Sequence, residues 1–224
     1  PCLCFQLDSF KCLEMYKELL GQLETRQKLE FPAYYEELEE KAEAEAKKAA
    51  DQAKAAASAK KGGKKDDEER GGGAAPADEG DAPTFIDTAA PHPNYVLSPP
   101  TARISTVEFD DILEEMKKDK EPLPAHHPLA RGLRRGIGIY IDDVGMSVYR
   151  RVVQRLAQQG KLAVVFSDHS LAYGVNMPFR TCAFCGDMGG LLTPLMAQQM
   201  SGRTGRRGLD TQGNIVYLGM RYDE

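Results

Sequence analysis

Apolar and polar positions alternate from the first residues of the chain. Leu3, Phe5 and Leu7 fall on one side of a period of two and Cys2 and Cys4 on the other, which predicts a short strand over residues 3–7 buried on both faces. The period then lengthens: Phe10, Leu13, Leu20 and Leu23 recur near 3.6 residues behind Asp8 or Ser9 as N-cap, so a helix follows. A second helix is expected after Ser105, which stands at capping-box spacing from Glu108 and precedes Val107, Ile112, Leu113 and Met116. Beyond Leu133 the pattern predicts a strand over 138–142 and a helix over 146–159. In that helix Val148, Val152 and Leu156 repeat every fourth residue, and Gly160 stands at its C-terminal stop. Next come a strand over 162–166, another at Thr181–Cys185, a helix opened by Thr193-Pro194, and a strand at Asn214–Leu218. Strands separated by helices predict an α/β fold, a parallel sheet with helices on both faces. In such sheets ligands sit at the carboxyl ends of the strands.

One stretch breaks the alternation. From about residue 36 to 65 Ala, Glu and Lys dominate with almost nothing large enough to pack, and a Gly-, Pro- and Asp-rich run continues to Pro83. The expectation is a low-complexity insertion over 36–101, largely disordered or a solvated helix, that divides residues 1–35 from 102–224. It reads as a tether or surface excursion; the sharper alternative is a helix that reaches a protein partner.

The 224 residues carry a formal charge of −5, but the total conceals a split. From Arg131 onward 12 Lys and Arg face 7 Asp and Glu, whereas residues 1–130 carry 17 against 27. Eleven of those 12 cations are arginine, the side chain suited to bidentate recognition of phosphate. Five cysteines in no even framework argue against a disulfide-stapled secreted fold. No apolar run approaches the roughly 20 residues that span a bilayer, so no membrane association is expected. Pro1 stands first and no secretory pattern follows, which reads as a fragment or a processed piece.

The unusual residues gather in two segments. One runs Ser167-Asp168-His169-Ser170-Leu171-Ala172-Tyr173-Gly174-Val175-Asn176-Met177-Pro178, the other Gln199-Met200-Ser201-Gly202-Arg203-Thr204-Gly205-Arg206-Arg207-Gly208, and both are expected on the same edge of the sheet. The second sets three arginines among three glycines. Glycine lets a ligand approach the main chain and permits positive φ, so guanidinium groups can be aimed at a ligand that also touches the backbone; a polyphosphate fits best.

These residues resemble superfamily-two helicases. Residues 199–208 are similar to their motif VI, QxxGRxGR, and residues 172–178 to their motif V; the GVNMP form, Arg135-Gly136-Ile137-Gly138-Ile139 and Gly213-Asn214-Ile215-Val216 resemble the superkiller-like branch of DExH-box RNA helicases, including the large interferon-induced antiviral type. The resemblance covers the second RecA-like (helicase C-terminal) domain only, so it implies a RecA-like fold and an enzyme, an ATP-dependent RNA helicase, of which this chain is half an active site. It implies Arg203 and Arg206 as catalytic arginine fingers for the γ-phosphate, Gln199, Gly202, Gly205, Gly174 and Asn176 as the nucleotide side, and ATP shared with an N-terminal RecA-like domain that holds Mg2+. The sequence has no G-x-x-x-x-G-K-[ST] and no D-E-x-[HD], so the fragment alone is expected to be inactive. Single-stranded RNA is the implied partner, held through its backbone, and the cytoplasm is the implied compartment with the nucleus open. Asp168 stands where the family has a threonine that contacts that backbone, and a carboxylate repels phosphate; Ser167, His169 or Ser170 would then supply the RNA contact. Asp142 and Asp143 replace a pair of family histidines.

Other readings compete. A helicase-derived scaffold or binding domain without catalysis draws on Asp168 and on Asp142-Asp143. Those two acids could bind a metal or act as an acid–base pair, but neighbours at a strand end point apart, and a solvated or capping role suits them better. Cys182-x-x-Cys185 could be half a zinc site; no second ligand pair accompanies it, and packing as small hydrophobes is the simpler role. His126-His127 reads as ordinary surface in a Pro-flanked loop.

Overall fold

Five short apolar runs become the five strands of one sheet: β1 Cys2–Phe5, β2 Ile137–Tyr140, β3 Val164–Ser167, β4 Thr181–Cys185 and β5 Asn214–Leu218. The computed structural model describes residues 1–41, 43–44, 47, 90–172, 177, 179–186, 188, 191–202, 204–205 and 212–219. Strand order is β2-β3-β1-β4-β5 and every pair is parallel. Helices α1 Ser9–Glu30, α2 Thr106–Lys118, α3 Pro128–Arg134, α4 Ser147–Gln158 and α5 Pro194–Ser201 complete it. This is the expected α/β architecture of RecA-like type.

The register decides which helix lies on which face. Cys4, Phe166 and Ile139 are aligned across β1, β3 and β2, and so are Leu3, Val165 and Gly138 one residue earlier; by the pleat the two rows face opposite ways. Phe166 meets the Tyr16 ring of α1 edge-on at 6.1 Å between centroids. A Cβ on Gly138 would lie 3.1 Å from Val153 of α4. The first and fourth helices therefore cover opposite faces. Because β5 ends the sheet, its Ile215, Val216, Tyr217 and Leu218 stay exposed, with Tyr217 stacked on Phe184 at 5.3 Å.

The helices follow the predicted periods with informative shifts. In α1 the buried stripe is Cys12, Tyr16, Leu20 and Gln27, and Phe10 is 67% exposed, so the helix sits one step round from the expected face. Tyr16 anchors it by donating to the Pro128 carbonyl at 2.9 Å. Ser105 caps α2 by accepting from the Glu108 N–H, but Glu108 does not close a capping box; its carboxylate takes Lys161 Nζ at 2.5 Å. Arg155 pairs with Glu115 at 2.7 Å and Arg151 with Asp119 at 2.8 Å, so a row of ion pairs joins α2 to α4. The seven-residue α3 is an element the periodicity did not predict; the His127 imidazole caps it by accepting from the Leu129 N–H, with Pro128 in its first turn.

Contacts divide the chain into two units, Pro1–Glu30 with Pro91–Glu224, and Phe31–Ala90. The second has helical backbone at residues 33–41, where the Tyr34 and Tyr35 rings meet edge-on. Most of the expected insertion, 48–89, lies outside the described residues. Its last part belongs to the first unit: Tyr95 and Ser98 are buried, Leu97 N–H donates to the Arg135 carbonyl at 2.8 Å, and Ser98 bonds the Lys161 carbonyl. No helix among the described residues is long and apolar enough to cross a membrane.

Candidate functional site

In a parallel sheet all carboxyl ends lie on one edge, and side-chain bonds join the loops that leave β1, β2, β3 and β4 there. Gln6, 2% exposed at the end of β1, donates from Nε2 to the Cys185 carbonyl of β4 at 2.7 Å. Ser9, opening α1, donates from Oγ to Asp168 Oδ2 at 2.9 Å. Ser167, at the end of β3, donates to the Tyr140 carbonyl of β2 at 2.7 Å. Neighbouring loops are thus bonded pairwise, and an edge built this way is held in place before any ligand arrives.

Asp168 is 1% exposed, and its second oxygen accepts the Ser170 N–H at 2.9 Å. Its carboxylate is spent inside the fold, where burial and then this charge push the Cys12 thiol up to about 12. A buried, doubly bonded carboxylate does not face a nucleic-acid backbone as the sequence suggested. Ser167 is fully buried with its hydroxyl committed to Tyr140, so it is not presented at the surface. His169 is exposed and Ser170 half-buried, so these two of the three candidate contacts are accessible on the edge. Gln6 carried no sequence signal and Ser9 only that of a candidate N-cap; their partners lie 179 and 159 residues away.

The second segment lies elsewhere. Helix α5 is capped by Thr193, whose hydroxyl accepts from the Met196 N–H at 3.2 Å, and it carries the chain back along the strands. Past its end Thr204 bridges to Phe179, two residues before β4 begins, and Gly205 N–H donates to the Phe179 carbonyl at 2.8 Å. Thr204 and Gly205 therefore sit at the amino end of the sheet, and the expectation of one shared edge is corrected. What meets Thr204 and Gly205 there is Phe179, the residue just past the first segment, which is fully buried. Gly205 has φ +82°, a backbone region that glycine adopts without strain. Gln199 and Gly202 are exposed while Met200 between them is fully buried, so α5 is anchored with its polar side outward. Arg203, Arg206, Gly174 and Asn176 lie outside the described residues.

Cys182 and Cys185, three apart on one strand, point to opposite faces and are both buried, so they pack in β4 and cannot chelate together. Asp142 and Asp143 are exposed in the turn after β2, Asp142 bonded to Arg150. Among the described residues no group of three His, Cys, Asp or Glu side chains could hold a metal ion.

No family model matches the chain. Known proteins do resemble it. An uncharacterised helicase of Caenorhabditis elegans is 39% identical over 110 residues, 49% of this chain and 6% of that protein. The antiviral helicase SKI2 of Saccharomyces cerevisiae is 32% identical over 116 residues, 49% of this chain and 9% of that protein. The DExH-box ATP-dependent RNA helicase DExH9 of Arabidopsis thaliana is 31% identical over 116 residues, 49% of this chain and 12% of that protein. The chain spans about a tenth of the length of the curated relatives it matches. Over about half of its residues the chain is similar to helicases, among them a superkiller-type and a DExH-box protein.

Proposed function

We propose that the chain is the second RecA-like domain of an ATP-dependent RNA helicase, with a nucleotide-facing end and an RNA-facing end on one sheet. The observation that supports this is the pairing of Thr204 and Gly205, in the Gly- and Arg-rich segment, with Phe179, the residue that follows the GVNMP segment. In this reading Arg203 and Arg206 stabilise charge growing on the γ-phosphate, while Gln199, Gly202, Gly205, Gly174 and Asn176 line the nucleotide side. A donor set of guanidinium groups and glycine backbone suits a polyphosphate. The carboxylates that would hold Mg2+, and the phosphate-binding loop, belong to the other RecA-like domain. The RNA backbone runs along the carboxyl edge, past His169 and Ser170.

The rival reading, a scaffold that has lost catalysis, draws on Asp168 as a charge opposed to RNA and on the exposed Asp142-Asp143 pair. The Asp168 carboxylate is bonded inside the fold to Ser9 and Ser170, so the charge that would oppose RNA on this edge is that of the Asp142-Asp143 pair. The test is Arg206→Ala in the full-length protein. ATP turnover is expected to fall about 10³- to 10⁵-fold while RNA binding survives. Turnover within a few-fold of wild type rejects the arginine-finger role and favours the scaffold.

A further inference from the structure

A hollow of about 140 Å³ opens on the carboxyl edge, between the start of α1 and the turn after β2. Ser9, Phe10 and Leu13 form one wall, and Ile141, Asp143 and Val144 the other. It adjoins the loop after β3, because Ser9 bonds Asp168 and the Ser170 hydroxyl lies 3.5 Å from the Tyr140 carbonyl. The Phe10 ring is 67% exposed, on a backbone fixed by its N–H bond to the Asp8 carboxylate at 2.9 Å. Leu13, Ile141 and Val144 supply an apolar interior, with Ile141 almost wholly buried. The polar group at the rim is Asp143, exposed and with no hydrogen-bond partner among the described residues, whereas its neighbour Asp142 is taken by Arg150.

Charge decides which part of a nucleotide this hollow can take. Among the described residues no cation lines it, and its carboxylate repels a phosphate. An exposed aromatic ring offers a face for stacking, and a carboxylate accepts from the N–H groups on the edge of a base. Resting on the reading of this edge as an RNA track, we propose that the hollow is a base-recognition pocket. A base of single-stranded RNA stacks on Phe10 and donates its exocyclic amino group to Asp143. Cytosine, adenine and guanine carry such a group. Uracil presents its single ring N–H between two carbonyl oxygens, which face the carboxylate unfavourably. Asp143 thus becomes a selective element.

The experiment measures binding of the full-length protein to short oligo(C) and oligo(U) RNA by fluorescence anisotropy. Wild type is expected to prefer oligo(C). Phe10→Ala lowers that affinity about tenfold, the scale of one lost stacking contact, and Phe10→Trp retains it. Asp143→Ala abolishes the preference for oligo(C) over oligo(U), as the amino-group acceptor and the repulsion of uracil carbonyls are lost together. If wild type binds RNA and both alanine variants bind the two oligomers as it does, the pocket is overturned and the RNA track stands. Loss on Phe10→Ala without any change on Asp143→Ala overturns base recognition. If wild type binds neither RNA, the track and the pocket fall together. Phe10 and Asp143 are both exposed, so neither variant threatens the fold.

Discussion

Ser9 and Asp168, 159 residues apart, are joined by a 2.9 Å hydrogen bond that ties the turn leading into α1 to the loop leaving β3. The acceptor is buried, so removing the donor leaves a carboxylate oxygen short of a partner. Ser9→Ala is expected to destabilise the fold by about 1–3 kcal/mol, read from urea denaturation, and to lower hydrogen-exchange protection at the Ser170 amide. An unchanged midpoint would show that water replaces the hydroxyl at no cost.

Gly132, inside α3, packs directly against the ring and hydroxyl of Tyr16, and a Cβ there would overlap them. In an open helix a glycine-to-alanine change stabilises; here Gly132→Ala is expected to cost about 1–3 kcal/mol from overpacking. Adding Tyr16→Phe removes the closest atom and recovers part of the loss, although it gives up the bond to the Pro128 carbonyl. Thermal melts of the single and double variants check the order: wild type, then double, then Gly132→Ala.

His127 caps α3 through an unprotonated Nδ1, and burial, helped by His126, Arg131 and Lys17, holds its imidazole below the ordinary value of 6.5. The unfolded chain then binds the proton more readily than the folded one, so stability from this residue is complete above 6.5 and is lost as the pH falls toward the folded value. Amide exchange at Leu129 and Ala130, corrected for intrinsic rates, should accelerate on acidification below that point. His127→Asn, which keeps an acceptor that does not titrate, should flatten the response.

Glu121 closes the amino end of α4 from outside the helix, accepting from Ser147 N–H at 3.0 Å, Ser147 Oγ at 2.9 Å and Val148 N–H at 2.9 Å. Desolvation opposes its ionised form, but the bonds from Val148 and Ser147 outweigh it and hold the carboxyl below its usual 4.5. The folded value is depressed, so this stability is present above 4.5 and is lost as the pH falls through the folded value. Glu121→Ala should fray the first turn of α4, seen as faster exchange at Ser147 and Val148, and remove that acid-dependent part.

Much of this was legible along the chain. Runs such as Thr181–Cys185 and Asn214–Leu218 are apolar, β-branched or aromatic and bounded by turn residues, and they form strands at those residues. Legibility failed where the cause was distant or topological. The period of α1 was readable but its phase was not, because Tyr16 is drawn inward by the Pro128 carbonyl 112 residues away. Asp168 looked like a misplaced surface charge because Ser9 cannot be inferred as its partner from spacing. The placement of Thr204 was derivable: a helix connecting parallel strands must return the chain to the amino end before the next strand starts. Of α3 the single sign was Pro128 behind a histidine able to cap it.

His169 and Ser170 leave β3 at one end of the sheet, and Thr204 meets Phe179 at the other. The length of β4 separates them, about 15 Å at the rise of an extended strand. Mutational drift at one end therefore makes no direct contact with groups at the other, so each can diversify on its own schedule. A mechanical link between them runs through β3, β1 and β4, whose carboxyl ends are tied to one another or to a neighbouring strand by Ser9, Gln6 and Ser167.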